Sequence, residues 1–304
     1  MLGGHLRPDG SVLPLATLPL VDTHVHFWDH SVEGLEWAWL EPGFDHPRVK
    51  SLHKYDAPRY LGPELHREAE GCAVTKVVHV QAARRIPDPE RETAWLETAA
   101  DEHGWPTAIV GDCQLASPDG PEVIARHARH SRFRGVRDMT AAGTLHDPNA
   151  RTTCAALGLH DGVCELMLSW EQFEAMGQLA GEVPQVTFVL GHAGLPVDRT
   201  DWYRRQWSAA LVGLARAGNV VCKISSLASG ADPEWTVDSL RPWVLGCLDA
   251  FGPRRCMFGT NWPIDRHYGT YRDLVDAYRT IVSDLSTAEQ DAVMWSTAER
   301  VYRI

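Results

Sequence analysis

Eight short apolar segments recur along the chain, most of them separated by stretches in which apolar residues are spaced three and four apart. The segments are rich in β-branched residues and lie at 20–26, 76–81, 107–115, 134–139, 163–169, 186–192, 219–225 and 255–261. Helical spacing occupies 57–70, 90–103, 121–130, 170–181, 202–217, 235–251 and 271–285. Strands that alternate with helices predict parallel strands joined by right-handed crossovers, and eight such units predict a (β/α)8 TIM barrel.

The main alternative is an open, doubly wound sheet, which carries a glycine-rich phosphate-binding turn after its first strand. No such turn follows the first apolar segment. A barrel also explains the positions of polar residues, because catalytic side chains of barrels lie at the carboxyl ends of the strands. The polar residues at these predicted ends are His24, His26, Gln81, Arg137, His192, Ser225 and Asn261.

His24 and His26 close the first predicted strand. Residues i and i+2 of a strand project from the same face, so the two imidazoles point toward one place. Such a pair suits a divalent metal ion, and it can equally polarise a carbonyl group without one. An isolated pair can also be two packed histidines at a strand end, so its interpretation depends on the rest of the chain.

The composition indicates one domain and a small-molecule partner. The 304 residues are 44% hydrophobic and contain no linker or low-complexity stretch, so we expect a single domain over 1–304 with a short N-terminal extension at 1–17. A net charge of -11 argues against a nucleic-acid or anionic membrane partner and favours a small-molecule substrate. The composition leaves a homo-oligomer open.

The seven cysteines form no CxxC pair and most lie in apolar segments, which favours reduced thiols and a cytoplasmic location. The first 17 residues lack the pattern of a signal peptide. No run approaches the ~20 apolar residues that a membrane-spanning helix needs. We therefore expect no membrane partner.

Six motifs resemble, in order and across nearly the whole chain, the amidohydrolase-related barrel proteins that include sugar-acid lactonases and pyrone-dicarboxylate lactonases. They are VDTHVHFWD at 21–29, VVHVQ at 77–81, RGVR at 134–137, FVLGHAG at 188–194, VCKIS at 221–225 and MFGTNWP at 257–263. The resemblance implies a hydrolase that opens a lactone or similar cyclic ester of a small acidic or polyhydroxylated compound. It also implies a site built from His24, His26 and His192, with a catalytic position at the end of the eighth strand that is Asn261 here.

Asn261 is a departure from that family, whose better-known members carry an aspartate there to bind metal and accept a proton from water. An amide cannot be that base. Gln81 likewise stands where relatives can carry glutamate. Two alternatives therefore stay open: one divalent metal ion, zinc before others, held by His24, His26 and His192, or catalysis without metal.

The general base must then be another residue. Strand alternation places Glu165 on the inner face of the fifth strand, and it places His79 with Gln81 on one face of the second. Glu165 and His79 are the candidates for the base, and Asp265 on the following loop is a weaker one. Each can instead hold its neighbours in place by hydrogen bonds.

Several residues are candidates for substrate contacts. Arg137 suits a substrate carboxylate, and an internal salt bridge to Glu165 or Asp22 is the equal alternative. Lys223 can extend the positive pocket or form a buried ion pair. The remaining candidates are His79 and Gln81 on the second strand and the pocket walls Trp28 and Trp262, together with a predicted lid at 27–58 that contains Trp37, Trp39, Phe44 and three histidines.

Two other functions remain compatible with this pattern. One is a decarboxylase or isomerase on the same barrel, since these reactions need no aspartate to activate water. The other is a barrel that binds a ligand without turnover, which Asn261 and Gln81 favour and the three histidines disfavour.

Overall fold

Eight parallel strands form the predicted barrel in the computed structural model, which describes residues 18–41, 57–83, 86–229 and 231–304 and the backbone of two short strands at 5–6 and 12–13. The barrel strands are β1 Leu20–Val25, β2 Val74–Val80, β3 Ala108–Asp112, β4 Phe133–Asp138, β5 Val163–Leu166, β6 Thr187–Leu190, β7 Val220–Ile224 and β8 Cys256–Phe258. Each strand pairs with the next one along the chain. The predicted fold and all eight predicted strands are confirmed.

The ring closes between the first and last strands along what we call the seam, formed by Asp22, Val25, His26, Thr260 and Trp262. Val25 forms an isolated parallel bridge with Trp262, and the His26 N–H donates to the Trp262 carbonyl at 2.8 Å. Asp22 accepts hydrogen bonds from the backbone N–H of Thr260 at 2.9 Å and from its hydroxyl at 2.6 Å. A buried side chain thus supplements a short backbone ladder at the point of closure.

Ten α-helices are present in the described ranges. They are α1 Gly62–Glu68, α2 Glu90–His103, α3 Gly120–His127, α4 Pro148–Gly158, α5 Phe173–Glu182, α6 Asp201–Leu214, α7 Val237–Phe251, α8 Tyr271–Ile281, α9 Thr287–Asp291 and α10 Thr297–Tyr302. The first eight follow the eight strands in turn. None of the helices in the described part of the chain is long and apolar enough to span a membrane.

The structure adds one barrel helix that the apolar spacing did not predict. In α4 the buried residues follow helical spacing, at Ala150, Thr153, Cys154 and Leu157, but three of the four are small or polar and give little hydrophobic contrast. The helix begins with Pro148, and the preceding Asp147 accepts a hydrogen bond from the Asn149 N–H. The residues at the start of α4 therefore indicate the helix more clearly than the spacing of its apolar residues does.

The interior of the barrel is filled by alternate residues of the strands. They form an apolar cluster with the C-terminal helix: Val21, Val78, Val80, Ala108, Val110, Val163, Val189, Val221, Met257, Ala298, Val301 and Tyr302. The strand residues between them face the helices and belong to the larger core, as Ile109 and Cys164 do. Helix α10 therefore packs against the inner residues of the barrel.

Parts of the predicted extension and lid fall outside the description. The segment at 1–17 is described only as an antiparallel pair of strands, His5–Leu6 with Val12–Leu13. Residues 42–56 of the predicted lid, with Phe44 among them, lie outside the described residues. The start of the lid pairs with the residues just after it, because the strand Trp28–Asp29 runs antiparallel to Arg59–Tyr60. The helix predicted from residue 57 therefore begins only at Gly62.

Candidate active site

Three histidine rings lie together at the carboxyl end of the barrel. The ring centroid of His24 is 4.9 Å from that of His26 and 4.5 Å from that of His192. All three side chains are buried. The structure thus brings together the three histidines that the strand ends and the family resemblance singled out.

An irregularity in β1 turns two of these histidines inward. Val21 belongs to the apolar cluster inside the barrel, and strict alternation would send His24, three residues later, to the opposite face. The pairing of β1 with β2 shifts register between Asp22 and Val25. Such a shift inserts a residue and re-aims the side chains after it, so His24 and His26 point into the barrel although Val21 also does.

His192 reaches the site from a strained turn. It lies in the short 3-10 turn Gly191–Gly194 that follows β6, with φ 53° and ψ 40°. This left-handed conformation is unfavourable for a residue with a Cβ and persists only where the surroundings fix it. The Nδ1 atom of His192 is 2.9 Å from the hydroxyl of Ser225 at the end of β7, which helps to hold the ring.

Each ring turns its Nδ1 atom toward the protein. His26 Nδ1 lies 2.8 Å from the Val80 carbonyl, which only accepts, so Nδ1 carries the proton and Nε2 keeps its lone pair. His24 Nδ1 lies 3.3 Å from Glu165 Oε1. Burial lowers the pKa of His24 and of His26 well below the usual value, and nearby cationic groups, Arg137 among them, lower each pKa further. Both rings are therefore neutral near pH 7.

Arg137 points into the same space and is held there by hydrogen bonds to Gln81. Its Nε and NH2 groups donate to Gln81 Oε1 at 3.2 and 2.9 Å, and NH2 also donates to the Gln81 carbonyl. Its NH1 group is 3.4 Å from His24 Nε2. Gln81 in turn donates to the Ala83 carbonyl at 2.8 Å. Gln81 thus fixes the plane of the guanidinium group.

Glu165 lies inside the barrel, as strand alternation predicts, but it binds Lys223. Its Oε2 atom is 2.6 Å from Lys223 Nζ and 3.5 Å from the Tyr302 hydroxyl, and both charged side chains are buried. Burial lowers the pKa of Lys223, and the neighbouring carboxylate opposes that change. Glu165 therefore reaches the site through His24 and is not directed at a substrate.

His79 does not line the barrel, which corrects the prediction from strand parity. Its neighbours Val78 and Val80 occupy the inner face of β2, so His79 faces the helix layer. His79 Nδ1 accepts a hydrogen bond from the Phe27 N–H at 3.2 Å, and Nε2 lies 3.4 Å from Glu92 Oε1. Through its Nδ1 atom, His79 supports the loop after β1.

Asn261 is buried and has a positive φ of 59°. Its Nδ2 group donates to the Ser226 hydroxyl at 3.1 Å and to Asp265 Oδ1 at 2.8 Å. Asp265 is itself buried, and burial raises its pKa to about 7. Trp262, the next residue, accepts the His26 N–H bond of the seam. The Asn261 amide is therefore held by Ser226 and Asp265 just after the end of β8.

The two predicted pocket walls are packed among other aromatic and polar side chains. Trp28 is fully buried, stacks on Tyr60 at 5.2 Å and donates to the Ala57 carbonyl at 3.0 Å. Trp262 donates to a carboxylate oxygen of Glu68. Among the described residues, Trp39 is an aromatic side chain that contacts the histidines, with its centroid 6.0 Å from that of His26. The sequence marked this lid segment as aromatic, but spacing could not show which ring reaches the site.

The three histidine side chains, in the orientations they have here, do not form a suitable site for a metal ion. His24 Nε2 faces the permanently charged Arg137, so a dication at this nitrogen would lie beside a guanidinium group. Across the described ranges, no group of three or more His, Cys, Asp or Glu side chains has a geometry that could hold a metal ion. His24, His26 and His192 bring nitrogen donors and no carboxylate.

The sequence model described as amidohydrolase matches residues 21–304. The chain belongs to the amidohydrolase family. This confirms the resemblance seen in the strand-end motifs, and it identifies the chain as an enzyme of a hydrolase family. The match begins with β1 and covers all eight strands and both C-terminal helices.

Two relatives match this amidohydrolase over most of its length. The uncharacterized protein y4mH of Sinorhizobium fredii is 31% identical over 307 residues, which cover 95% of this chain and 100% of the relative. An L-fucono-1,5-lactonase of Burkholderia multivorans is 29% identical over 301 residues, covering 93% of this chain and 96% of the relative.

Two solved structures resemble its fold. An amidohydrolase from Burkholderia multivorans with bound zinc has a TM-score of 0.80 and 27% identity, covering 94% of this chain and 99% of that one. A 2-pyrone-4,6-dicarboxylic acid hydrolase from Pseudomonas putida, described as putative, has a TM-score of 0.67 at 18% identity, covering 94% of this chain and 98% of that one. The second likeness concerns the fold alone.

Proposed function

We propose that this amidohydrolase opens a lactone, or a similar cyclic ester, of a small acidic or polyhydroxylated compound. The observation that carries the proposal is the meeting of His24, His26 and His192 with Arg137 at the carboxyl end of the barrel. The lactonase relative supports the choice of a ring ester. Arg137 supports an acidic substrate, because a guanidinium group binds carboxylates through parallel hydrogen bonds.

In the proposed reaction, water attacks the carbonyl carbon of the lactone and His24 Nε2 takes the proton from that water. Glu165 Oε1, 3.3 Å from His24 Nδ1, stabilises the imidazolium that forms, as the carboxylate of a catalytic triad does. Arg137 stabilises the oxyanion or orients the substrate. The ring C–O bond then breaks, and His24 returns the proton to the leaving alkoxide, giving a hydroxy acid.

His192 and Asn261 complete the proposed arrangement. The Ser225 hydroxyl can donate to His192 Nδ1, and we assign the Nε2–H of His192 to the carbonyl oxygen of the substrate. The side-chain NH2 group of Asn261 donates to Ser226 and Asp265. The side-chain oxygen, Oδ1, is therefore the atom that can accept a hydrogen bond from the attacking water. His26 Nε2 offers a second acceptor beside it.

The test is proton release on a panel of 1,4- and 1,5-lactones of sugar acids, beginning with L-fucono-1,5-lactone. We expect catalysed release above the uncatalysed rate, abolished by His24→Ala and unchanged by His160→Ala, since His160 is an exposed histidine outside the site. Proton uptake with release of carbon dioxide from a carboxylated substrate would favour decarboxylation instead. Thermal stabilisation by ligands without any product would favour a binding barrel.

We propose that this hydrolysis needs no metal ion, since a dication at His24 Nε2 would lie beside the positively charged Arg137, whereas a neutral water molecule is not repelled there. Dialysis against a chelator should leave turnover within about twofold of the untreated protein, where loss of an essential Lewis acid costs several kcal/mol. A large loss that added zinc restores would overturn this and assign the three histidines to zinc. We further propose a cytoplasmic location, which the seven free, buried cysteines support.

A further inference from the structure

A buried carboxyl group lies next to the Asn261 amide. Asp265 comes four residues later, in the 3-10 turn Ile264–Tyr268, and is 2% exposed. Its Oδ1 atom is 2.8 Å from Asn261 Nδ2, and the Asp265 N–H also bonds the Asn261 carbonyl at 3.3 Å. Side chain and backbone therefore tie Asp265 to the residue at the catalytic position of β8.

The chemistry of this contact determines which way the amide faces. An ionised carboxylate can only accept hydrogen bonds, so the amide must present its NH2 group to Asp265. The second N–H bond goes to the Ser226 hydroxyl at 3.1 Å. Within the described ranges no residue donates to Asn261 Oδ1, so this oxygen is left to accept from a ligand or water.

We propose that Asp265 is a positioning residue that holds the Asn261 amide with its oxygen turned toward the attacking water. Protonation of Asp265 would turn its carboxyl group into a donor, and the amide would then gain by presenting its oxygen to Asp265 and its NH2 group to the site. An NH2 group in that place cannot accept a hydrogen bond from the attacking water. The inference rests on the proposed hydrolysis for its catalytic consequence, but the orientation of the amide is independent of the substrate.

The surroundings place this switch near neutral pH. Burial raises the pKa of Asp265 to about 7, while hydrogen bonds from Asn261 and Ser229 lower it and the nearby Asp22 raises it. The other group coupled to it is the Tyr278 hydroxyl on α8. His24 and His26 have pKa values lowered well below the usual one, so neither titrates in this range. Turnover should therefore fall as pH falls through about 7.

The first measurement reads the amide without any substrate. In protein labelled with 15N-asparagine, the side-chain NH2 signal of Asn261, assigned by its loss in Asn261→Gln, should shift with a midpoint near pH 7. The shift should be absent in Asp265→Asn and preserved in Asp238→Asn, a control that removes an exposed carboxylate of α7. An Asn261 signal that does not respond to pH in the wild-type protein would overturn the proposal.

The second measurement is the pH dependence of kcat on a lactone that the protein opens. The amide oxygen of Asp265→Asn can still accept from Asn261, so this variant should keep turnover at pH 8 within about tenfold and lose the fall below pH 7. Asp265→Leu has no acceptor and should lose at least tenfold in kcat at every pH, with little change in KM. An acid limb that persists in Asp265→Asn would show that another group titrates.

The two measurements separate the two proposals. If the Asn261 signal titrates as expected and no lactone is opened, the positioning role stands and the proposed hydrolysis fails. If lactones are opened but the signal is indifferent to Asp265, the hydrolysis stands and the positioning role fails.

Discussion

At the scale of single residues, the three histidines carry the strongest prediction. Replacing His24, His26 or His192 by alanine should each lower kcat by at least ~100-fold, because each supplies a charge or a proton position in one shared transition state. Combining two of the changes should cost little more than the worse one alone. Steady-state kinetics on the opened lactone, with His160→Ala as control and circular dichroism to confirm folding, would test this.

Arg137 carries a second prediction about charge. Arg137→Met should lose about 2–5 kcal/mol of transition-state stabilisation on acidic lactones and far less on their neutral esters or amides. Gln81→Leu keeps the positive charge but frees the guanidinium group from its two bonds to Gln81 Oε1, so it should give a smaller loss of the same selectivity. Equal losses on both substrate classes would assign Arg137 to structure, as would a large drop in melting temperature.

The sequence revealed which residue types meet at the site but not how they share their hydrogen bonds. The strand-end positions of His24, His26 and Arg137 follow from periodicity alone. Strand parity failed for His79, because β2 ends at Val80 and Gln81, one residue past its end, faces Arg137 without sharing a strand face with His79. The hydrogen bonds between Arg137 and Gln81 and between Asn261 and Asp265 have a geometry that depends on the closed barrel. No local sequence pattern predicts them.

At the scale of elements, the start of α4 offers a test of capping. Asp147 accepts a hydrogen bond from the Asn149 N–H, so Asp147→Ala should lower the free energy of unfolding by about 1 kcal/mol. Asp119 is the matched control, because it occupies the same position before α3 but makes no capping hydrogen bond with its side chain. Urea denaturation of both variants would compare them. Equal losses would mean that the charge near the helix start, and not the hydrogen bond, is responsible.

The elements themselves were predictable to different degrees. All eight strands were visible because a buried parallel strand is apolar almost throughout. Helices with large buried side chains, such as α7 with Trp243 and Phe251, were equally visible. Helix α4 was not, since its buried face uses alanine, threonine and cysteine. The register shift in β1 left no sequence signal, although the inward direction of His24 depends on it.

At the scale of the whole molecule, a buried ion pair below the site links catalysis to stability. Glu165→Gln leaves Lys223 buried without its anion, so we expect a loss of about 3–5 kcal/mol in the free energy of unfolding. The double variant Glu165→Gln/Lys223→Met removes both charges and should recover part of that loss. Urea denaturation would measure it, and turnover should remain low in both variants because His24 loses its carboxylate partner. A double variant less stable than Glu165→Gln would contradict this account.

The seam has a consequence for how the enzyme fails on heating. Barrel closure there depends on one isolated backbone bridge and on hydrogen bonds made by the Asp22 and Thr23 side chains, whereas the neighbouring strand pairs share longer ladders. On heating, the barrel should therefore open first between β1 and β8. The backbone N–H of His26 should then exchange with deuterium, while the strands on the opposite side of the barrel stay protected. Since His24 and His26 lie two and four residues after Asp22, such an opening would displace the histidines that we propose to be catalytic before the helices unfold. Heat inactivation should therefore precede the loss of circular dichroism.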